Sequence, residues 1–198
     1  MRKEVISCFA DKIERGVSAL GYLRISDSVF EKIVNENSKL KLVFSYSSSP
    51  PITASAYFGV LFEDIERKLS FINGGERKRS YSKDSLTVFE RWDLILSGTT
   101  SKMVAPKISL EDSQPLENIM FFDSIGEIED IFTNKAVLAK YISENMSFAI
   151  GHHAYRIPFL LSESGLNGDC RRYIDYVLRQ NFLGDYQEFV GRFQLAAK

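Results

Sequence analysis

Alternation of apolar and polar residues on both sides of a serine–proline break is the feature that most constrains this fold. Every second residue is apolar from Leu40 to Tyr46, and the same holds from Ile52 to Phe62. Because successive side chains of an extended chain point to opposite sides, a period of two indicates strands with one buried face. Residues 47–51 are three serines and two prolines, which suit a connector because proline cannot donate to a ladder. The pattern predicts an antiparallel hairpin.

A helix is predicted before this hairpin, with one more strand between them. Apolar residues near helical spacing run over residues 3–20, and Gly21 supplies an end. Residues 29–34 are a short segment of mixed apolar and charged residues, and residues 35–38 (Asn-Glu-Asn-Ser) are typical of a turn. A helix followed by a three-stranded meander accounts for the first 62 residues.

The remainder of the chain is predicted to be mainly helical. Helical spacing covers residues 62–72 and 86–96, and a strand is predicted at residues 119–122. Helix starts are predicted at Ser124, Asp169 and Asp185, and a helix break is predicted near Thr133-Asn134. We therefore predict an α+β fold, with an N-terminal helix packed on an antiparallel β-meander and a mainly helical C-terminal half. We expect a single domain over residues 1–198, with a seam near residues 97–115, where apolar content is low.

Composition excludes several classes of protein. A net charge of -1 provides no overall attraction to nucleic acid or to an anionic membrane. The N-terminus lacks the pattern of a signal peptide, and no apolar run approaches the ~20 residues that span a bilayer. We therefore expect a cytoplasmic protein with no membrane or nucleic-acid partner. Cys8 and Cys170 are far apart in the sequence, and we expect both to be reduced.

His152 and His153 are the only two histidines and the first candidates for catalysis or metal binding. Adjacent residues on regular structure point in different directions, and no cysteine or further histidine stands at ligand spacing. The favoured interpretation is a pair of partly exposed loop histidines, with no metal and no cofactor. A hydrolase or metal-dependent enzyme that uses His152, His153 or Cys170 is the alternative.

Cys170 is the most specific sign of reactivity in the sequence. It falls in the first turn of a predicted helix beside Arg171 and Arg172, and a helix N-terminus next to cations favours the thiolate. The sequence therefore predicts a lowered thiol pKa. Single cysteines at helix starts are usually inert, however, so the balance favours a protein that is not an enzyme.

Two further groups of residues are candidates for binding. Arg77, Lys78 and Arg79 form a basic loop that can bind phosphate or RNA, although nucleic-acid binding normally needs a wider basic surface. Tyr46 and Tyr57 are aromatic residues of the hairpin strands. The face that carries Ile52 to Phe62 is predicted to lie under the N-terminal helix, which leaves the face of Tyr57 for water or a partner.

The order of these segments is similar to that of a known group of domains. The residues are the helix end Leu20-Gly21-Tyr22, a strand opened by Phe30, the strands from Leu40 to Phe62, and residues 141–150 (Tyr-Ile-Ser-Glu-Asn-Met-Ser-Phe-Ala-Ile). They resemble small bacterial α+β domains of unknown function, some of which are grouped with immunity proteins that neutralise polymorphic toxins. Residues 74–115 depart from that pattern. The resemblance implies a non-catalytic, protein-binding role and transfers no functional residue.

The leading hypothesis is therefore a non-catalytic protein-binding module, of the immunity type if the resemblance holds. Its motivation is the lack of a convergent catalytic set in the sequence, beside large apolar helix and sheet surfaces. The sequence identifies neither the partner nor the oligomeric state.

Overall fold

The computed structural model describes residues 2–73, 86–99, 108–110, 124–145, 152–180 and 183–196. The chain divides into two compact units, one of residues 1–60 and 89–130, and the other of residues 61–88 and 131–198. The boundaries between the units lie at residues 60/61, 88/89 and 130/131, and none of them falls in the seam predicted near residues 97–115.

The first unit contains nearly all residues of a sheet of six strands. The strands are β1 (Leu23–Ser26), β2 (Val29–Asn35), β3 (Ser38–Tyr46), β4 (Thr53–Phe62), β5 (Val88–Arg91) and β6 (Ile108–Ser109). Strands β1 to β5 are neighbours in chain order, and β6 pairs antiparallel with β4. The antiparallel meander of β1 to β4 confirms the predicted hairpin and the α+β class.

One face of this sheet is covered by helix α1 (Arg2–Val17), as predicted. The Phe9 ring meets the Phe44 ring edge-on, with 5.4 Å between their centroids. Phe44 in turn meets Phe30 of β2 at 6.0 Å. Each such buried ring contributes roughly 1.5–3 kcal/mol through removal of apolar surface from water. A 3-10 turn (Ser18–Leu20) ends the helix at Gly21, whose φ of +87° is the left-handed conformation that glycine adopts without strain.

The second unit is helical, which confirms the prediction for the C-terminal half. Its helices are α2 (Glu63–Ile72), α5 (Lys135–Glu144), α6 (Ile157–Glu163), α7 (Asn167–Gln180) and α8 (Tyr186–Ala196), and α4 (Ile125–Thr133) runs across the boundary from the first unit. The Asn134 side chain accepts hydrogen bonds from the backbone N–H groups of Ala136 and Val137. This N-cap confirms the break predicted between α4 and α5.

The structure corrects three expectations about the elements. Strand β1 precedes β2, so the meander has four strands rather than three. The predicted helix over residues 86–96 is wrong, because the chain forms β5 and then helix α3 (Trp92–Thr99). Strand β6 lies inside residues 97–115, where a seam and no strand are predicted, and the strand predicted at residues 119–122 lies outside the described residues. Among the helices of the described ranges, none has both the length and the apolar content to cross a membrane.

Candidate functional site

The sheet face opposite α1, called the outer face below, is defined by the register of β1, β2 and β3. Phe30 is buried against Phe44 on the α1 side, so its neighbour Glu31 points the other way. Leu23 and Lys41 pair with Glu31 across the neighbouring strands, so they lie on the same side as Glu31. Ile33 is the next outward residue of β2, and its partner Lys39 lies on that side as well. The described residues of the outer face at this end of the sheet are Leu23, Ile25, Glu31, Ile33, Lys39 and Lys41.

Three large aliphatic side chains of the outer face are exposed to water. Leu23 is 68% exposed, Ile25 is 62% exposed and Ile33 is 65% exposed. Leu23 pairs with Glu31, so Ile33 lies diagonally across from Leu23 on the neighbouring strand. Ile25 lies at a β-bulge, where the register shifts between Arg24 and Ser26. Single exposed aliphatic residues are ordinary, whereas contiguous exposed apolar patches are typical of interaction surfaces.

Charged groups adjoin this aliphatic cluster. The Glu31 carboxylate lies 3.5 Å from Lys39 Nζ and 3.4 Å from Lys41 Nζ. The Lys39 side chain is 32% exposed, whereas that of Lys41 is only 9% exposed. The outer face therefore combines an aliphatic cluster with one partly exposed ammonium group, that of Lys39.

The opposite side of β1 is fixed to α1 by Arg24. Its guanidinium donates hydrogen bonds to Asp27, to Asp11 and, at 3.1 Å, to Glu14. These three carboxylates raise the pKa of Arg24. Because the inward side of the strand is held in this way, Leu23 and Ile25 are presented on a strand that need not become ordered on binding.

The two predicted tyrosines lie on different faces. Tyr57 of β4 lies on the outer face as predicted, half-buried, with its ring edge-on to Phe89 at 6.0 Å between centroids. Tyr46 has internal contacts, because its hydroxyl donates to the Asp27 carbonyl at 2.6 Å and its ring packs on Phe9. Burial raises the pKa of Tyr46. The structure thus places Tyr57, and not Tyr46, on the candidate surface.

The basic residues Arg77, Lys78 and Arg79 lie outside the described residues. Phosphate or RNA binding through them therefore stays a prediction.

The histidines were expected in a partly exposed loop, and for His153 that expectation is wrong. His152–Tyr155 is a 3-10 turn, and His153 is 5% exposed. His153 Nδ1 lies 3.3 Å from the Thr87 carbonyl oxygen. Because a carbonyl can only accept, Nδ1 carries the hydrogen of this bond. For His152 the structure describes the backbone alone.

The lowered pKa predicted for Cys170 is also wrong. Its side chain is buried, its thiol donates to the Pro158 carbonyl at 3.5 Å, and its own N–H bonds the Leu166 carbonyl. Burial raises the pKa of the Cys170 thiol to about 11, although the charge of Arg171 opposes this. Both cysteines are free thiols as expected, and Cys8 is exposed.

These positions argue against a shared catalytic site for His153 and Cys170. Each is buried, and each bonds a different backbone carbonyl. Within the described ranges, no group of three or more histidine, cysteine, aspartate or glutamate residues is arranged to hold a metal ion.

Sequence reasoning missed a buried polar group in the second unit. Arg156 is fully buried and pairs with Glu66, which also accepts a hydrogen bond of 2.9 Å from Thr87 Oγ1. The one available signal was an arginine inside residues 154–161, which are otherwise apolar and all buried. We interpret this group as structural, because its charges satisfy one another.

Sequence reasoning also missed the exposed aliphatic cluster of the outer face. Leu23 and Ile25 alternate with polar residues, which is a sign of a strand, but the segment is short and contains a bulge.

No family model, curated protein or solved structure matches the chain.

Proposed function

We propose that this chain is a non-catalytic protein-binding module that contacts its partner through the outer face of the sheet. The observation that carries the proposal is the exposure of Leu23, Ile25 and Ile33 together on two adjacent strands. Burial of one such side chain contributes roughly 1.5–3 kcal/mol. Three of them provide enough driving force for an interface centre, since a few residues dominate most interfaces.

The chemistry of the outer face also defines the partner surface. An apolar patch on the partner would cover the three aliphatic residues, and a carboxylate at its border would meet the partly exposed ammonium group of Lys39. The resemblance to immunity domains suggests the class of this partner, a protein toxin whose activity the complex blocks.

The enzyme alternative has weaker support in the described residues. A nucleophile needs a base within hydrogen-bonding reach and access for a substrate. His153 and Cys170 are buried and bonded to Thr87 and Pro158, respectively, and burial raises the pKa of the thiol. No observation on these groups favours catalysis over a structural role.

The experiment starts from a partner recovered from the native host with the full-length chain as bait, identified by mass spectrometry and then purified. Its Kd is measured by titration calorimetry with the wild type and with the double variant Leu23→Asp/Ile33→Asp. Because two carboxylates would enter the apolar centre, we expect binding to weaken by about 100-fold or more.

The matched control is Leu195→Asp, which places the same charge at an exposed leucine of α8 in the second unit. We expect it to bind the partner like the wild type. Equal Kd values for the wild type and the double variant would overturn the assignment of the outer face. Recovery of nucleic acid or small molecules alone, with no specific protein, would overturn the protein-binding proposal itself.

A further inference from the structure

The second unit contains a groove of about 440 Å³ between helices α2, α6 and α8. Its floor is aromatic, since Phe159 and Phe193 are buried and meet edge-on with 5.0 Å between ring centroids. Phe71 lines it from the last turn of α2 and is 82% exposed. Volumes of about 300–1,000 Å³ with mainly apolar walls are typical of small-molecule sites.

Polar groups stand at one side of this groove. Glu163 accepts a hydrogen bond of 2.7 Å from Lys68 and one of 3.1 Å from Lys135. Lys135 also bonds Asp64, and its Nζ lies 5.2 Å from the centre of the Phe62 ring. Lys135 is thus fixed by several contacts, whereas the Lys68 side chain is 53% exposed.

This arrangement leaves Lys68 able to change its partner. If its ammonium group turns to an anion in the groove, Glu163 keeps its bond from Lys135 and is not left as an unpaired charge. The loss is therefore one exposed ion pair, which is worth at most about 1 kcal/mol. A charge-assisted hydrogen bond to a ligand that also fills the apolar groove offsets that loss.

We propose that the groove binds a small amphiphile with one acidic head group and an apolar body, such as a long-chain carboxylate. The apolar body lies on Phe159 and Phe193 and is covered at the side by Phe71, and Lys68 pairs with the acidic head. This site lies in the second unit and shares no residue with the outer face. Failure of one proposal would therefore leave the other unaffected.

The test is a fluorescence titration of the full chain with 8-anilinonaphthalene-1-sulfonate, an aromatic body with one anionic group. Displacement by dodecanoate is then compared with displacement by dodecanol, which has the same chain without the charge. We expect saturable binding and displacement by dodecanoate at concentrations about tenfold or more below those needed for dodecanol. The variant Lys68→Gln should remove this preference.

A filling variant tests the location of the site. Ala196 lines the groove and is exposed, so Ala196→Trp fills the groove without disturbing the core. Gln194→Trp adds the same side chain at an exposed position of α8 and is the matched control. We expect about tenfold weaker binding for the first variant and wild-type binding for the second, with thermal unfolding showing that both are folded.

Three results would overturn the proposal. They are a lack of saturable binding to the wild type, equal binding by the two tryptophan variants, and a dodecanoate preference that persists in Lys68→Gln. The last result would remove Lys68 from the head-group site.

Discussion

The Arg156 guanidinium donates two parallel hydrogen bonds to the Glu66 carboxylate, 2.7 Å from Nε to Oε1 and 2.9 Å from Nη2 to Oε2. The same carboxylate accepts from the Thr87 hydroxyl, which in turn accepts from the Phe62 N–H at 2.8 Å. The Glu66 carboxylate therefore links α2 to Arg156, which follows the 3-10 turn, and to Thr87, which precedes β5. Both charged groups are largely removed from solvent. Loss of either one would leave the other as an unpaired buried charge.

We predict that Glu66→Gln lowers the free energy of unfolding by about 3–5 kcal/mol, since it leaves the buried guanidinium without its counter-charge. Urea denaturation measures the change. The double variant Arg156→Met/Glu66→Leu should lose less than the sum of its single variants, by about 0.5–3 kcal/mol. The exposed pair Lys140–Glu144 is the control, and Lys140→Gln should change stability by less than about 0.5 kcal/mol. Additive losses at Arg156 and Glu66 would contradict the coupling.

The two thiols are predicted to react at very different rates. Cys8 is exposed, whereas Cys170 is buried with a pKa of about 11. At about pH 8 such a thiol is roughly 0.1% thiolate, and burial also limits access. Titration with a disulfide reagent should detect one fast thiol in the native chain and a second after denaturation. Cys8→Ser should abolish the fast reaction, and two fast thiols in the wild type would disprove the burial of Cys170.

Leu23 and Phe30 lie close together on adjacent strands but on opposite faces, and we predict a small effect on stability for Leu23 and a large one for Phe30. Leu23→Ser should change the free energy of unfolding by less than about 0.5 kcal/mol, because the side chain is already exposed. Phe30→Ala should lower it by about 3–5 kcal/mol, because the ring is fully buried. Thermal or urea unfolding measures both. A large loss for Leu23→Ser would show that the outer aliphatic residues serve folding rather than binding.

Glu90 is predicted to make stability depend on pH. Burial raises the pKa of this carboxyl above its ordinary 4.5, against the opposing hydrogen bond from the Arg91 N–H. The folded state then binds the proton more tightly than the unfolded state. The contribution of Glu90 to stability is therefore fully present below pH 4.5 and is lost as the pH rises through the folded pKa.

Glu90→Gln should consequently be slightly more stable than the wild type at about pH 7, because the neutral amide avoids the desolvation of the ionised carboxylate. Its advantage should fall when urea denaturation is repeated at about pH 4. A stability difference that does not change between the two pH values would refute the assignment.

The elements with strong periodicity were predictable because their burial pattern repeats over many residues. Helix α1 places Phe9, Ile13 and Val17 on one stripe, and β4 buries Ala54, Phe58 and Val60 on one face. For such segments the local pattern and the tertiary packing agree, so the sequence suffices. The Tyr57 face of the hairpin was predictable on the same ground.

Short segments were not predictable, because too few residues carry the pattern. The spacing of Leu86, Phe89 and Trp92 is typical of a helix, yet Val88–Arg91 forms a strand beside β4. The Trp92 ring packs on the Phe58 ring of β4, with 5.8 Å between the ring centroids. Pairing with a neighbouring strand, which lies far away in sequence, decided that conformation. Strand β1 is equally short and was missed for the same reason.

The chain sequence by itself determined the α+β class, the α1-covered hairpin and the unequal faces of β4, because alternation and helical spacing depend on nearby residues. Only the tertiary structure decided which polar groups are buried and which aliphatic groups are exposed. It buried His153, Cys170 and Arg156 and left Leu23, Ile25 and Ile33 in water. Burial and pKa depend on neighbours from distant segments, such as Glu66 and Thr87 around Arg156, and the order of residues along the chain does not record that proximity.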